Sequence, residues 1–103
     1  MSQSLEQVWA RSERMVGRSV AGEFVLVPLR NRAADIDAIY NLSRVAAFIW
    51  ERFDGRTPGR EVVRAVVEHF EVDQEEAAAD YVRLVEQLLS ISALVDASTV
   101  SPR

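Results

Sequence analysis

At Ser43 the pattern of apolar residues changes from short β-rich runs to a helical period. Before Ser43, residues 15–20 and 23–29 are β-rich runs on either side of Gly22, and residues 36–42 alternate between two faces. Three short strands followed by helical segments predict an α+β domain. We expect a winged-helix-like arrangement, with a three-stranded antiparallel sheet followed by three helices.

Local signals mark the turns of the predicted sheet. Gly22 takes a positive φ at little cost, which favours a tight hairpin between the first two strands. Pro28 has no N–H to donate, so the second strand is expected to end at an edge or an exit. Ser43 occupies an N-cap position, where its hydroxyl accepts from a free N–H of the first helical turn.

Three helices are predicted after Ser43. The first ends where Gly55 takes the left-handed conformation, and the second begins at Thr57 and Pro58. The third spans about residues 74–91, behind an acidic capping box that starts at Asp73. The apolar stripes are Val45, Ala46, Ile49, Trp50 and Phe53 in the first helix, and Val62, Val63, Val66, Val67 and Phe70 in the second.

The two ends of the chain carry weaker signals. Leu5, Val8 and Trp9 allow one short amphipathic turn, and the alternative is a loosely ordered tail that Trp9 pins to the body. The polar residues after Val95 are expected to fray. The 103 residues are therefore divided into an N-terminal tail (1–14), one folded domain (15–95) and a C-terminal tail (96–103).

The composition argues against catalysis. The chain has no cysteine and one histidine, His69, so thiolate nucleophiles, disulfides and cysteine-ligated metals are excluded. Its four glycines form no phosphate-binding motif. We expect a protein that is not an enzyme and holds no cofactor or metal, with His69 interacting with the C-terminus of the second helix.

Charge and hydropathy limit the partners. A net charge of -4 argues against nucleic acid, and no apolar run approaches the roughly 20 residues that span a bilayer. We expect a cytoplasmic protein with no membrane partner. A winged-helix DNA-binding regulator is the alternative, since Arg83 and Gln87 lie on the third helix, although the acidic excess of that helix would repel a duplex.

The third helix has a wider apolar surface than one buried stripe requires. The extra flank is either covered inside the monomer or forms a groove for a peptide, beside the candidate edge strand at residues 36–42. A homodimer that uses the same edge and flank is a further alternative. The stripe contains Ala77, Tyr81, Leu84, Leu88 and Ile91, and the extra flank contains Ala78, Val82, Val85 and Leu89.

An ordered set of residues between about 15 and 95 forms a recognisable pattern, together with the hairpin segment VAGEFVLVPL. The residues of the pattern are Leu42, Ser43, Ala46, Ile49, Trp50, Asp54, Gly55, Thr57, Val62, Val63, Phe70, Val72, Asp80, Leu88, Leu94 and Val95. This pattern resembles the PqqD family, the small proteins of pyrroloquinoline quinone biosynthesis and their relatives, the recognition elements of ribosomally made, modified peptides (RiPPs). Ser43 stands where the family usually has Asn, and Ala93 where Gly is common.

The resemblance implies a non-catalytic peptide chaperone. It would bind the leader of a precursor peptide as a strand added to the third strand, against the third helix, and present the peptide to a radical SAM or other modifying enzyme. Pyrroloquinoline quinone is one product among several. The implied peptide-binding residues are Asp37, Ala38, Ile39, Tyr40 and Asn41 on the strand and Val82, Val85, Glu86 and Leu89 on the helix. The opposite helix flank, with Asp80, Arg83 and Gln87, is an open alternative.

Overall fold

The computed structural model describes residues 5–28 and 40–97. These residues form six short strands and three helices. In chain order they are β1 (Val8–Arg11), β2 (Met15–Val20), β3 (Glu23–Pro28), β4 (Tyr40–Leu42), α1 (Arg44–Trp50), β5 (Asp54–Pro58), α2 (Gly59–Phe70), α3 (Gln74–Ser90) and β6 (Leu94–Asp96). The predicted α+β class, with a three-stranded antiparallel sheet and three helices, is confirmed.

The predicted sheet has the strand order β2-β3-β4 and is antiparallel throughout. Its hairpin turns at Ala21 and Gly22, with φ values of 53° and 83°. Two successive positive φ angles are typical of the type I′ turns whose twist matches that of paired strands. The sequence therefore located this turn correctly.

Strand β4 forms one edge of this sheet. Tyr40 lies opposite Leu26 and Leu42 opposite Phe24 on β3, and no other described strand pairs with β4. The predicted third strand is thus confirmed as an edge over residues 40–42. Its first four residues, 36–39, lie outside the described residues.

A second antiparallel sheet, with the order β5-β1-β6, was not predicted. Residues 8–11 form its central strand rather than the expected turn or loose tail, and Trp9 is only 6% exposed. Asp96, which the sequence analysis placed in a frayed tail, lies opposite Trp9 in β6. The sheet therefore joins three segments that are far apart in the chain.

Strand β5 also replaces the predicted connection between the first two helices. Helix α1 ends at Trp50 instead of Phe53. Gly55 does take a positive φ of 79°, but it does so within β5 and not as a helix cap. The predicted helix starters Thr57 and Pro58 likewise belong to β5, so the interpretation of this segment as a stop followed by a start was wrong.

The helix N-termini are satisfied in different ways. Ser43 caps α1 as predicted, with its Oγ accepting from the N–H of Ala46 at 3.0 Å. At the start of α2, the N–H groups of Gly59 and Arg60 donate to the carbonyls of Gln7 (3.1 Å) and Leu5 (2.8 Å). The N-terminal segment thus supplies the acceptors that a side-chain cap would otherwise provide.

The acidic capping box predicted for α3 has its N-cap residue in place but lacks the hydrogen bond to that residue's side chain. Asp73 occupies the N-cap position of that helix, but its side chain makes no capping hydrogen bond. Glu75 and Glu76 lie in the first turn, where negative charge is favourable to the helix dipole.

One core connects the helices to both sheets. Ile49, Trp50 and Phe53 are almost completely buried, and the Phe53 ring lies 6.4 Å from that of Trp50 and 6.0 Å from that of Tyr81. The predicted stripe on α2 is buried at Val62, Val63 and Val66 and half-buried at Val67 and Phe70. This core holds α3 in a fixed position beside the β2-β3-β4 sheet.

Candidate functional site

A groove separates the edge strand β4 from helix α3. Its larger cavity has a volume of about 400 Å³. The cavity is lined by Tyr40, Asn41 and Leu42 from β4, and by Leu84, Gln87, Leu88, Ser90 and Ile91 from α3 and its C-terminus. A strand edge and an apolar helix surface therefore face the same space.

A second cavity of about 220 Å³ continues this groove toward the start of α1. It is lined by Ser43, Val45, Ala46, Ile49, Asp80, Arg83, Leu84 and Gln87. Leu84 and Gln87 line both cavities. We call the two cavities together the β4–α3 groove.

The floor of the groove is apolar and rigidly held. Leu84 and Leu88 are 5% and 2% exposed, so they belong to the core and show only a small surface to the groove. Ile91 is half-buried at the C-terminus of α3, and Tyr40 is exposed on β4. An apolar side chain that enters this end would lose contact with water without requiring the core to rearrange.

The charge of the groove is concentrated at the other end. Among the described residues that line the two cavities, Asp80 and Arg83 are the only charged ones. Arg83 Nη1 donates to Asp80 Oδ1 at 2.9 Å, and the two side chains are 65% and 36% exposed, respectively. The guanidinium is therefore the more accessible of the two groups.

The structure brings only some of the predicted peptide-binding residues together. Tyr40 and Asn41 line the groove as expected, whereas Asp37, Ala38 and Ile39 lie outside the described residues. None of the four helix residues (Val82, Val85, Glu86 and Leu89) lines either cavity.

Those four residues lie on the other side of α3. Val85 is fully buried, Val82 and Leu89 are half-buried against the core, and Glu86 is exposed. The helix also contacts α2 and β6, which accounts for part of the wide apolar surface within the monomer. On the alternative flank, Gln87 lines both cavities, and Asp80 and Arg83 line the one beside the start of α1.

A third cavity, of about 370 Å³, lies between the β2–β3 hairpin and helices α1 and α2. His69 is in the last turn of α2, as predicted, and its ring stacks on Phe48 at 4.6 Å. Arg52 covers the Phe48 ring, with its Cζ 3.5 Å from the ring centroid. These contacts give His69 a packing role beside the helix end.

Titratable groups with shifted pKa values lie outside the groove. Burial raises the pKa of Tyr81 to about 12. Partial burial acts to raise the pKa of Asp54, but hydrogen bonds from the Arg56 and Thr57 backbone and the Thr57 hydroxyl outweigh it and lower the value overall. Within residues 5–28 and 40–97, no three His, Cys, Asp or Glu side chains converge as a metal site would require. None of the described helices is long and apolar enough to cross a membrane.

Comparison with known proteins gives two matches to this arrangement. A family model described as Coenzyme PQQ synthesis protein D (PqqD) matches residues 23–93. A solved structure described as "TbiB1 in Complex with the TbiA(beta) Leader Peptide" superposes with a TM-score of 0.67 at 19% identity, covering 90% of this chain and 99% of that one. No curated protein matched the chain.

The structural neighbour is evidence for the fold, and the family model is evidence for the family to which the chain belongs. The neighbour is similar over almost its whole length, but its identity is too low to carry more than the fold. The family match extends from β3 to Ala93 and so includes β4, all three helices and both cavities of the groove. Because that match covers most of the sequence, this chain belongs to the PqqD family.

Proposed function

We propose that this protein is a RiPP recognition element, which binds the leader of a ribosomally made precursor peptide and presents that peptide to a modifying enzyme. One observation carries the proposal: the edge of β4 that pairs with no described strand borders a groove with an apolar floor. Membership of the PqqD family supports it, and so does the leader peptide bound to the structurally similar TbiB1.

The mechanism of binding is the addition of a strand. The outer edge of β4 offers backbone N–H and C=O groups, which an extended peptide would pair with its own. Such hydrogen bonds give affinity with little dependence on the peptide sequence. Specificity would come from alternate peptide side chains that enter the β4–α3 groove.

The protein's role in the reaction is to hold the substrate. Binding one part of a precursor raises the effective concentration of its remaining part at an enzyme that contacts the same complex. The partner would be a radical SAM enzyme or another peptide-modifying enzyme. Pyrroloquinoline quinone biosynthesis is one pathway that such a carrier would serve, and the chain itself would catalyse no step.

A pair of matched substitutions on α3 tests which flank binds the leader. Ile91→Asn changes a half-buried apolar residue in the groove, and Leu89→Asn changes one on the opposite flank. The probe is a synthetic peptide that covers the leader of a candidate precursor, to be sought as a short open reading frame near this gene. Calorimetric titration should show about tenfold weaker binding for Ile91→Asn, since losing one apolar contact costs on the order of 1.4 kcal/mol.

Leu89→Asn should leave the affinity within about twofold, provided that unfolding curves show both variants folded at the titration temperature. The reverse order of effects would place the leader on the flank with Val82, Val85, Glu86 and Leu89. Equal affinity for all three proteins would remove α3 from the binding site.

A further inference from the structure

The two ends of the β4–α3 groove differ in chemistry, and this difference restricts the peptide that fits them. One end has the apolar surface of Leu88 and Ile91, and Leu84 borders both ends. The other has Arg83 and Asp80, the two charged side chains of the described lining. Gln87 lies between them and borders both cavities.

The separation of the two ends matches the repeat of an extended strand. Arg83 precedes Leu88, which lines only the cavity without charged residues, by five residues, or about 7.5 Å along a helix axis. Two residues of a β-strand span about 6.6 Å, and side chains two residues apart point to the same face. One peptide strand on β4 would therefore place side chains i and i+2 at the two ends of the groove.

The charged end favours an anionic side chain. Arg83 uses one nitrogen, Nη1, for its hydrogen bond to Asp80 Oδ1, which leaves further N–H donors of its planar fork for a second carboxylate. Its side chain is 65% exposed, against 36% for Asp80. A peptide carboxylate would thus meet the guanidinium first, while a peptide cation would have to displace it from Asp80.

On the basis of the proposed function, we propose that the leader carries an Asp or Glu two positions from an apolar residue, and that Arg83 is the specificity-determining residue that selects the acidic side chain. The order within the leader follows from the strand direction. The charged pair lies at the end near Ser43, and the end near Tyr40 has no charged lining residue. An antiparallel leader would read acidic-x-apolar, and a parallel one apolar-x-acidic.

Selection from a displayed library of random 12-residue peptides tests this rule without knowledge of the natural leader. The library is selected on the wild-type protein, on Arg83→Glu and on Arg64→Glu. Arg64 is a close control on a different helix, α2. Its side chain is also 65% exposed, and its Nη1 lies 3.6 Å from Oε1 of Glu61, an acidic residue three positions before it.

Wild-type and Arg64→Glu proteins should both enrich an acidic residue two positions from an apolar one, and Arg83→Glu should enrich Lys or Arg at the acidic position. The best wild-type peptide should bind Arg83→Glu about five- to tenfold more weakly in a fluorescence polarisation assay, as expected for one exposed ion pair replaced by repulsion.

Enrichment of apolar residues with no charged position on all three proteins would overturn the role of Arg83 and leave the proposed function intact. The same charge preference in wild-type and Arg83→Glu selections would also overturn it. If the wild-type protein enriches no sequence pattern at all, peptide binding by strand addition is contradicted, and both proposals fail with it.

Discussion

Among single residues, Gly17 shows that a close contact in this fold requires a position without a side chain. A Cβ added at Gly17 would lie 2.5 Å from Cζ of Phe24 and 2.8 Å from Nε1 of Trp50. Gly17 therefore lets a ring from the sheet and the indole of α1 lie against the backbone of β2. The β-rich composition of residues 15–20 predicted this strand, but it could not show which side chains pack over the glycine.

Gly17→Ala should lower the free energy of unfolding by about 1–3 kcal/mol, because the new methyl group has no space and its neighbours are largely buried. Urea denaturation followed by tryptophan fluorescence measures the change. Ser19→Ala, two residues along the same strand and exposed, should alter stability by less than about 0.5 kcal/mol. Equal effects of the two substitutions would show that the sheet and α1 are not in close contact at Gly17.

At the scale of elements, the sequence identified those with a regular pattern and missed those without one. The hairpin and α3 have clear periodicity, and their bounds were predicted closely. Strand β5 has the sequence DGRTP, whose residues are typical of turns and helix starts. It is extended because β1 pairs with it, and no local pattern reveals a partner that lies more than 40 residues away.

Asp54 organises the start of β5 and makes that element sensitive to acid. Its Oδ1 accepts from the N–H groups of Arg56 and Thr57, both at 2.9 Å, and its Oδ2 from the Thr57 hydroxyl at 3.0 Å. These bonds lower the pKa of Asp54 below its ordinary value of 3.8. The ionised form therefore stabilises the fold above about pH 4, and this contribution is lost as the pH falls through the folded-state pKa.

The stability difference between the wild-type protein and Asp54→Asn should accordingly shrink as the pH is lowered from about 6 to about 3. Urea unfolding at several pH values measures it, with the exposed Glu68→Gln as a control for general charge effects. A difference that stays constant over this range would mean that the Asp54 hydrogen bonds do not persist in solution.

Strand β1 is the element whose discovery changes the account of the chain most. It lies between β5 and β6, and its Trp9 belongs to the main core. Trp9→Ala should therefore cost about 3–5 kcal/mol of unfolding free energy. Thermal and chemical unfolding measure this loss.

Arg14→Ala, at an exposed position just after β1, is the matched control and should have little effect. A loss below about 0.5 kcal/mol for Trp9→Ala would restore the loose N-terminal tail that the sequence suggested.

At the scale of the whole molecule, the sequence predicted the class of fold and the strand that borders the groove, but not the flank of α3 that completes it. Both flanks of α3 carry apolar residues, so a helical wheel alone leaves the choice open. Tertiary packing decides it: Val85 is fully buried, whereas Leu84, Gln87 and Ile91 face β4. The long-range strand pairs that fix this orientation join segments without a shared sequence signal.

Amide chemical shifts test whether a leader peptide adds to the sheet as a strand beside β4. The isotope-labelled protein is titrated with the synthetic leader peptide, and the amides of β2, on the far edge of the same sheet, serve as an internal control. We expect large shifts and new protection from hydrogen exchange at Tyr40–Leu42, smaller shifts along α3 from Asp80 to Ile91, and unchanged β2 amides. Saturable binding that leaves the amides of Tyr40–Leu42 unchanged would contradict the addition of the leader to β4.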